Sequence, residues 1–164
     1  MPDIRNRSFT IRARVTRSSS AEEGVLAACG ARTGGHCLFI QNNRMVFAYN
    51  RIGRITRLVS AIELPVGECE LAVIFKKTAP NQGMATLQIN GTAAGEGAIV
   101  LLPFRQTVAG LDIGADHGST VCDDYAAPFH FGGRLHHVDY ALGIDRDDFK
   151  RAAAIEARNA LTDQ

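Results

Sequence analysis

The feature that most constrains the fold of this chain is the alternation of apolar and polar residues in short runs. Apolar side chains recur at every second position in three such runs, which is the spacing of a β-strand with one buried face. Residues rich in glycine, asparagine and proline separate the runs and predict turns, with Asn90-Gly91 as the strongest hairpin signal. The predicted buried faces are Phe9, Ile11, Ala13 and Val15; Met45, Phe47 and Tyr49; and Leu71, Val73 and Phe75.

Many short strands with regular turns predict an all-β fold in which two antiparallel sheets stack as a jelly-roll sandwich. A chain of 164 residues, 46% of them hydrophobic, has room for one such domain and no second one. The pattern changes near the end, where Asp145 can cap a helix whose first turn holds Asp147 and Asp148 and whose alanine-rich part runs from Phe149 to Leu161. We therefore predict a sandwich over 1–143 and an added C-terminal α-helix and tail over 144–164. The weak apolar stripe of that helix fits packing across the sandwich or contact with a second copy.

Charge and hydropathy exclude broad classes of partner. The formal net charge of +1 gives no long-range field to attract nucleic acid or a membrane surface, so neither is expected. No apolar segment is long enough to span a bilayer, and the first residues lack the apolar core of a secretory signal. These features predict a cytoplasmic location, in which thiols stay free. Cys29 and Cys37 would lie opposite each other if a hairpin turns at 32–35, so a disulfide between them stays open.

Arginine is concentrated near the start of the chain. On a strand, Arg12 and Arg14 fall on one face, because Ile11, Ala13 and Val15 occupy the other. A solvated outer face is the simplest interpretation of this pattern. An anion-binding patch is the alternative.

A second concentration of polar chemistry lies between Leu111 and Phe131, where four aspartates occur in a turn-rich segment. Calcium prefers several carboxylate oxygens, so these aspartates are candidates for one calcium site. The alternative is that they accept hydrogen bonds from the backbone of their own turns. The candidate calcium ligands are Asp112, Asp116, Asp123 and Asp124, and the candidate ligand-contact residues are His117, Ser119, Tyr125 and Phe129.

The same segment resembles part of the C-terminal β-sandwich module of bacterial arylsulfatases. The similarity lies in the spacing from Asp112 to Phe129. It extends to the runs Asn6–Ile11, Gly24–Leu26, Gly34–Asn50 and Gly132–Tyr140. It implies a laminin-G-like or concanavalin-like jelly roll. Sulfatases of this family place their nucleophile in a Cys-x-Pro-x-Arg motif, and none of the four cysteines here begins one. The chain therefore resembles the accessory module and not the catalytic domain.

The leading hypothesis is a non-catalytic accessory module that docks to a sulfatase-like catalytic domain or to itself. Its contact surface would be one sheet face plus the segment from Asp112 to Phe131. The alternative is a carbohydrate-binding module that holds a glycan through that segment, with calcium as the one possible cofactor. An independent hydrolase is the least favoured class, since no catalytic residue can be assigned. Fold alone does not choose among these functions.

Overall fold

A computed structural model of the chain describes residues 2–104 and 110–143. They form ten β-strands and no helix. The strands are β1 (Phe9–Arg17), β2 (Gly24–Ala31), β3 (Gly34–Gln41), β4 (Arg44–Arg51), β5 (Arg54–Val59), β6 (Gly67–Ala79), β7 (Gln82–Ile89), β8 (Thr92–Val100), β9 (Leu111–Ile113) and β10 (Arg134–Leu142).

The strands form two five-stranded sheets. Sheet A has the order β10-β1-β6-β7-β8, and sheet B has the order β5-β4-β3-β2-β9. Each pair of neighbouring strands is antiparallel. The predicted antiparallel two-sheet sandwich is therefore confirmed, with a jelly-roll-like strand order. The predicted C-terminal helix, over 144–164, lies outside the described residues.

The interior between the sheets is built from the alternating apolar positions. All ten side chains predicted to face inward are at most 5% exposed. They pack in one core with residues such as Leu38 and Leu87, which the neighbouring strands contribute. The rings of Phe9 and Phe75 stack there with their centroids 5.0 Å apart. Period-two alternation thus placed the central core correctly.

Tight turns connect neighbouring strands within each sheet. Asn90 and Gly91 have positive φ angles of 50° and 80°, which confirms the predicted hairpin between β7 and β8. Asn42 and Asn43 make the same kind of turn between β3 and β4. The described ranges, 2–104 and 110–143, contain no helix long and apolar enough to cross a bilayer.

The register between β2 and β3 corrects one prediction about the cysteines. Cys29 lies opposite His36, and Cys37 lies opposite Ala28, so the two thiols point to different faces of sheet B. The difference arises because Gly34 and Gly35 belong to β3 and not to the turn. All four cysteines are buried and unbonded.

Candidate functional site

The outer face of sheet B is covered by the chain itself. Residues 114–133, which we call the cover segment, cross it between β9 and β10. Apolar side chains of β2, β3 and β4 meet apolar side chains of the cover segment in a second core. This second core contains Val25, Ala28, Cys37, Phe39, Val46, Ala48, Val121 and Cys122, with Tyr125 and Phe129 packed against it.

Backbone hydrogen bonds hold the cover segment against the start of β2. The Val25 amide donates to the Phe129 carbonyl at 2.9 Å, and the Gly132 amide donates to the Glu23 carbonyl at 3.0 Å. Gly24 permits this approach, because a Cβ there would lie 2.4 Å from the His130 carbonyl oxygen. The segment therefore forms a fixed layer on sheet B.

A buried amide ties the middle of the cover segment to β4. The Asn50 side chain is 1% exposed, and its Nδ2 donates to the carbonyls of Arg32 and Val121 at 2.9 and 2.8 Å. Its Oδ1 accepts the Gly53 amide at 2.7 Å, so every polar atom of this buried group is satisfied. The bonds join the β2–β3 turn, the β4–β5 turn and the cover segment.

The predicted calcium ligands have separate partners in this layer. Asp116 is 2% exposed and accepts a hydrogen bond from the Tyr125 hydroxyl at 2.6 Å. Burial raises the pKa of the Asp116 carboxyl above its ordinary value. Asp112 accepts the backbone amide of His117 at 2.7 Å, as the turn-capping alternative expects. Asp124 pairs with Arg57 at 2.6 Å, while Asp123 is exposed.

Within residues 2–104 and 110–143, no three His, Cys, Asp or Glu side chains are grouped to hold a metal ion. The predicted calcium site thus draws no support from the placement of these carboxylates. It stays a prediction.

The four predicted contact residues divide into two pairs. His117 and Ser119 are exposed. Tyr125 and Phe129 are half-buried, and their rings pack against Phe39 with centroid distances of 5.1 and 6.5 Å. Both aromatic side chains pack against the second core, and part of each stays exposed.

Within residues 2–104 and 110–143, no segment packs on the outer face of sheet A, in contrast to that of sheet B. Its middle rows are fixed by register: Arg12 lies beside Ala72, and Ala72 lies beside Gln88. We call this surface, at the centre of sheet A, the open face. Its partly exposed residues are Thr10, Arg12, Ile74, Lys76, Thr86 and Gln88, while Ala72 at its centre is buried. The register also places Asp139 of β10 beside Arg12 and Glu96 of β8 beside Thr86.

One end of the open face is a groove of about 340 Å³. It is shallow and opens widely to solvent, unlike the enclosed clefts that bury most of a small ligand. It is lined by Thr10 and Ile74, which are register partners on β1 and β6, and by Lys76 and Ala141. Arg12 lies next to it, on the same face of β1 as Thr10.

Two arginines on β1 have different surroundings. Arg14 pairs with Glu68 at 2.8 Å and with Glu70 at 3.4 Å. Arg12 and Lys76 form no ion pair with any described residue. The open face therefore offers two unpaired cations beside the groove.

Several polar side chains on the open face also lack hydrogen-bond partners among the described residues. The side chains of Thr10, Thr86 and Gln88 have no hydrogen-bond partner among the described residues. Hydroxyl and amide groups of this kind can donate to and accept from the hydroxyls of a ligand. Ile74 and the partly exposed Met84 add apolar surface. Arg12 and Lys76 could contact a negatively charged group of a ligand at the groove, while Asp139 and Glu96 lie on the outer strands of the same sheet.

Sequence reasoning found part of this surface. It placed Arg12 and Arg14 on a common outer face, which the burial pattern of β1 confirms. It missed Ile74, Thr86 and Gln88, because their position beside Arg12 depends on pairings between strands far apart in sequence. Alternation in β6 and β7 shows only that these residues face outward.

No protein-family model matches this chain. No curated protein matches it either. Solved structures do match, and one is the CBM40 module of an IT-sialidase from Ruminococcus gnavus, bound to α2,3-sialyllactose. It is 16% identical, with a TM-score of 0.59 over 87% of this chain and 81% of that chain. This likeness shows a shared fold.

Two other matches have lower TM-scores. The receptor-binding domain of botulinum neurotoxin type G is 13% identical, with a TM-score of 0.46 over 83% of this chain and 33% of that one. Sheep galectin-11, in complex with glycerol, is 14% identical, with a TM-score of 0.46 over 86% and 99%. The resemblance to the arylsulfatase module draws no support from these findings and stays a prediction.

Proposed function

We propose that this chain is a carbohydrate-binding module that holds an acidic glycan on the open face of sheet A. The observation that carries the proposal is the groove with unpaired Arg12 and Lys76 beside it. An arginine guanidinium recognises a carboxylate or sulfate through charge-assisted hydrogen bonds. Thr10, Thr86 and Gln88 supply the neutral polar groups that sugar hydroxyls need.

The fold supports a glycan as the ligand. The R. gnavus module shares this sandwich and is bound to α2,3-sialyllactose, a sugar that ends in a carboxylate. Fold does not establish function, so the ligand is inferred from the side chains on the open face of this chain. The surface differs from the predicted one, because Tyr125 and Phe129 of the cover segment are occupied by packing.

The test is titration of the whole chain with 3′-sialyllactose and with lactose, followed by calorimetry. We expect saturable binding of the acidic sugar and much weaker binding of the neutral one. Arg12→Ala should weaken binding of the acidic sugar by about 10- to 100-fold, the value of a charge-assisted hydrogen bond. Arg14→Ala is the matched control, since Arg14 lies on the same strand and face but is already paired.

Two results would contradict the proposal. One is the absence of binding of either sugar at millimolar concentration. The other is equal loss of binding in both arginine variants, which would indicate a general charge effect. Docking to a sulfatase-like domain or to a second copy, calcium dependence and a cytoplasmic location stay predictions.

A further inference from the structure

Two thiols face each other inside the second core. The Sγ atoms of Cys37 and Cys122 lie 3.8 Å apart, and the two residues are 0% and 1% exposed. Cys37 is on β3, the central strand of sheet B, whereas Cys122 belongs to the cover segment. The pair thus bridges the sheet and the layer that covers it.

The other thiols do not share this position. Cys29 points to the opposite face of sheet B from Cys37, as the register of β2 and β3 shows. Cys69 lies on β6 in the central core, in the other sheet. Among the described residues, Cys37 and Cys122 are therefore the thiols that native packing brings together.

We infer that Cys37 and Cys122 are a redox-active dithiol, and that its oxidation to a disulfide locks the cover segment onto sheet B. The co-reactant would be a low-molecular-weight disulfide such as oxidised glutathione. The inference is independent of the proposed glycan site, which lies on the other sheet. It assigns a modification site to this chain.

The reaction has two exchange steps. The Cys122 thiolate attacks one sulfur of the external disulfide, which forms a mixed disulfide and releases one small thiol. The Cys37 thiolate then attacks Sγ of Cys122, forms the Cys37–Cys122 bond and expels the second small thiol. Each cysteine sulfur loses one electron, the external disulfide gains two, and the two cysteine protons pass to the released thiols.

The order of attack follows from location. A buried thiol reacts only after local opening, and the cover segment is a surface layer that can lift while the central strand stays paired. Lifting exposes Cys122 and leaves Cys37 on the sheet. Burial meanwhile raises the pKa of the Cys37 thiol. Cys122 is therefore the first nucleophile.

The test exposes the folded whole chain to oxidised glutathione and maps the products by non-reducing peptide mass spectrometry. We expect a Cys37–Cys122 link and no link that involves Cys29 or Cys69. The Cys37→Ala variant should instead accumulate glutathione on Cys122, because it lacks the second nucleophile. The double variant Cys29→Ala/Cys69→Ala is the control, and it should still form the link.

Stability gives a second readout that does not depend on variants. The bond would close a loop between residues 85 positions apart, so oxidation should raise the Tm by about 5–15 °C. Affinity for the acidic sugar should not change. The inference is overturned if the folded chain forms no such link, or if it forms the same mixture of links as the chain in concentrated urea.

Discussion

The two outer faces of the sandwich differ in what their strands bury. On sheet A the outward residues of β1 alternate with buried ones and stay accessible. On sheet B, β2, β3 and β4 are buried on both faces, since the cover segment packs on their outer side. The outer face of sheet B therefore contributes to the stability of the domain, while the outer face of sheet A has side chains that a ligand could reach. The segment richest in polar motifs belongs to the stabilising side.

The largest expected effect concerns the second core. Phe39→Ala should reduce the free energy of unfolding by about 3–5 kcal/mol, because it empties a fully buried site beneath Tyr125 and Phe129. Thr86→Ala, at an outward position on sheet A, should change it by less than about 0.5 kcal/mol. Urea denaturation measures both. Similar losses in the two variants would remove the distinction between the faces.

The next effect concerns the buried carboxyl of the cover segment. Tyr125→Phe removes the donor to Asp116 and should cost about 1–3 kcal/mol near neutral pH. The folded-state pKa of Asp116 is raised, so the stability from this group is present at low pH and is lost as pH rises through that pKa. Without the Tyr125 hydroxyl, the pKa of the Asp116 carboxyl should rise further. The cost should therefore be smaller at about pH 4, and a cost that is independent of pH would contradict this assignment.

A smaller effect is expected from the ion pair between the cover segment and β5. Asp124→Asn removes the partner of Arg57 and should cost about 0.2–1 kcal/mol, because the pair is partly exposed. The cost should shrink in about 1 M salt. Asp123→Asn is the matched control, since the exposed Asp123 side chain has no hydrogen bond or ion pair with a described residue. Equal effects of the two substitutions would show that the Asp124–Arg57 pair does not stabilise the cover segment on sheet B.

The smallest effect on stability is expected on the open face. Arg12→Ala should change the free energy of unfolding by less than about 0.5 kcal/mol, because Arg12 has no ion partner. The same variant should lose affinity for the acidic sugar. Thermal denaturation and calorimetry on one preparation separate the two properties. A large loss of stability would mean that Arg12 is structural and would weaken the case for a binding surface.

The sequence was sufficient for the central core and insufficient for the second one. Alternation identified the inward faces, because a strand with one buried face has a period of two. Continuous apolar runs such as Val25–Cys29 and Met45–Tyr49 indicate strands buried on both faces, and this signal was present. The apolar runs do not identify the segment that packs on the outer face of sheet B. That depends on pairings such as Val25 with Phe129, which lie far apart in the chain.

The candidate site, like the fold, was only partly predictable from the sequence. The residue types of the acidic segment predicted a calcium site, yet Asp112, Asp116 and Asp124 have separate partners in the structure. Residue types indicate chemistry, but burial decides whether that chemistry is free to act. Arg12 was placed on an outer face from its spacing alone. The register of β1 with β6 places Arg14 beside Glu70, whereas it places Arg12 beside Ala72. On its other side Arg12 has Asp139 of β10 as its register partner, but the Asp139 carboxylate contacts His137 and forms no ion pair with Arg12.

The most direct test of the account is to map the binding surface by NMR titration of the isotopically labelled chain with 3′-sialyllactose. We predict that shifted amide signals cluster on β1, β6 and β7, around Thr10, Arg12, Ile74 and Gln88. Signals of the cover segment should not move. Shifts confined to 114–133, or no shifts at saturating sugar, would contradict the assignment of the open face as the glycan-binding surface.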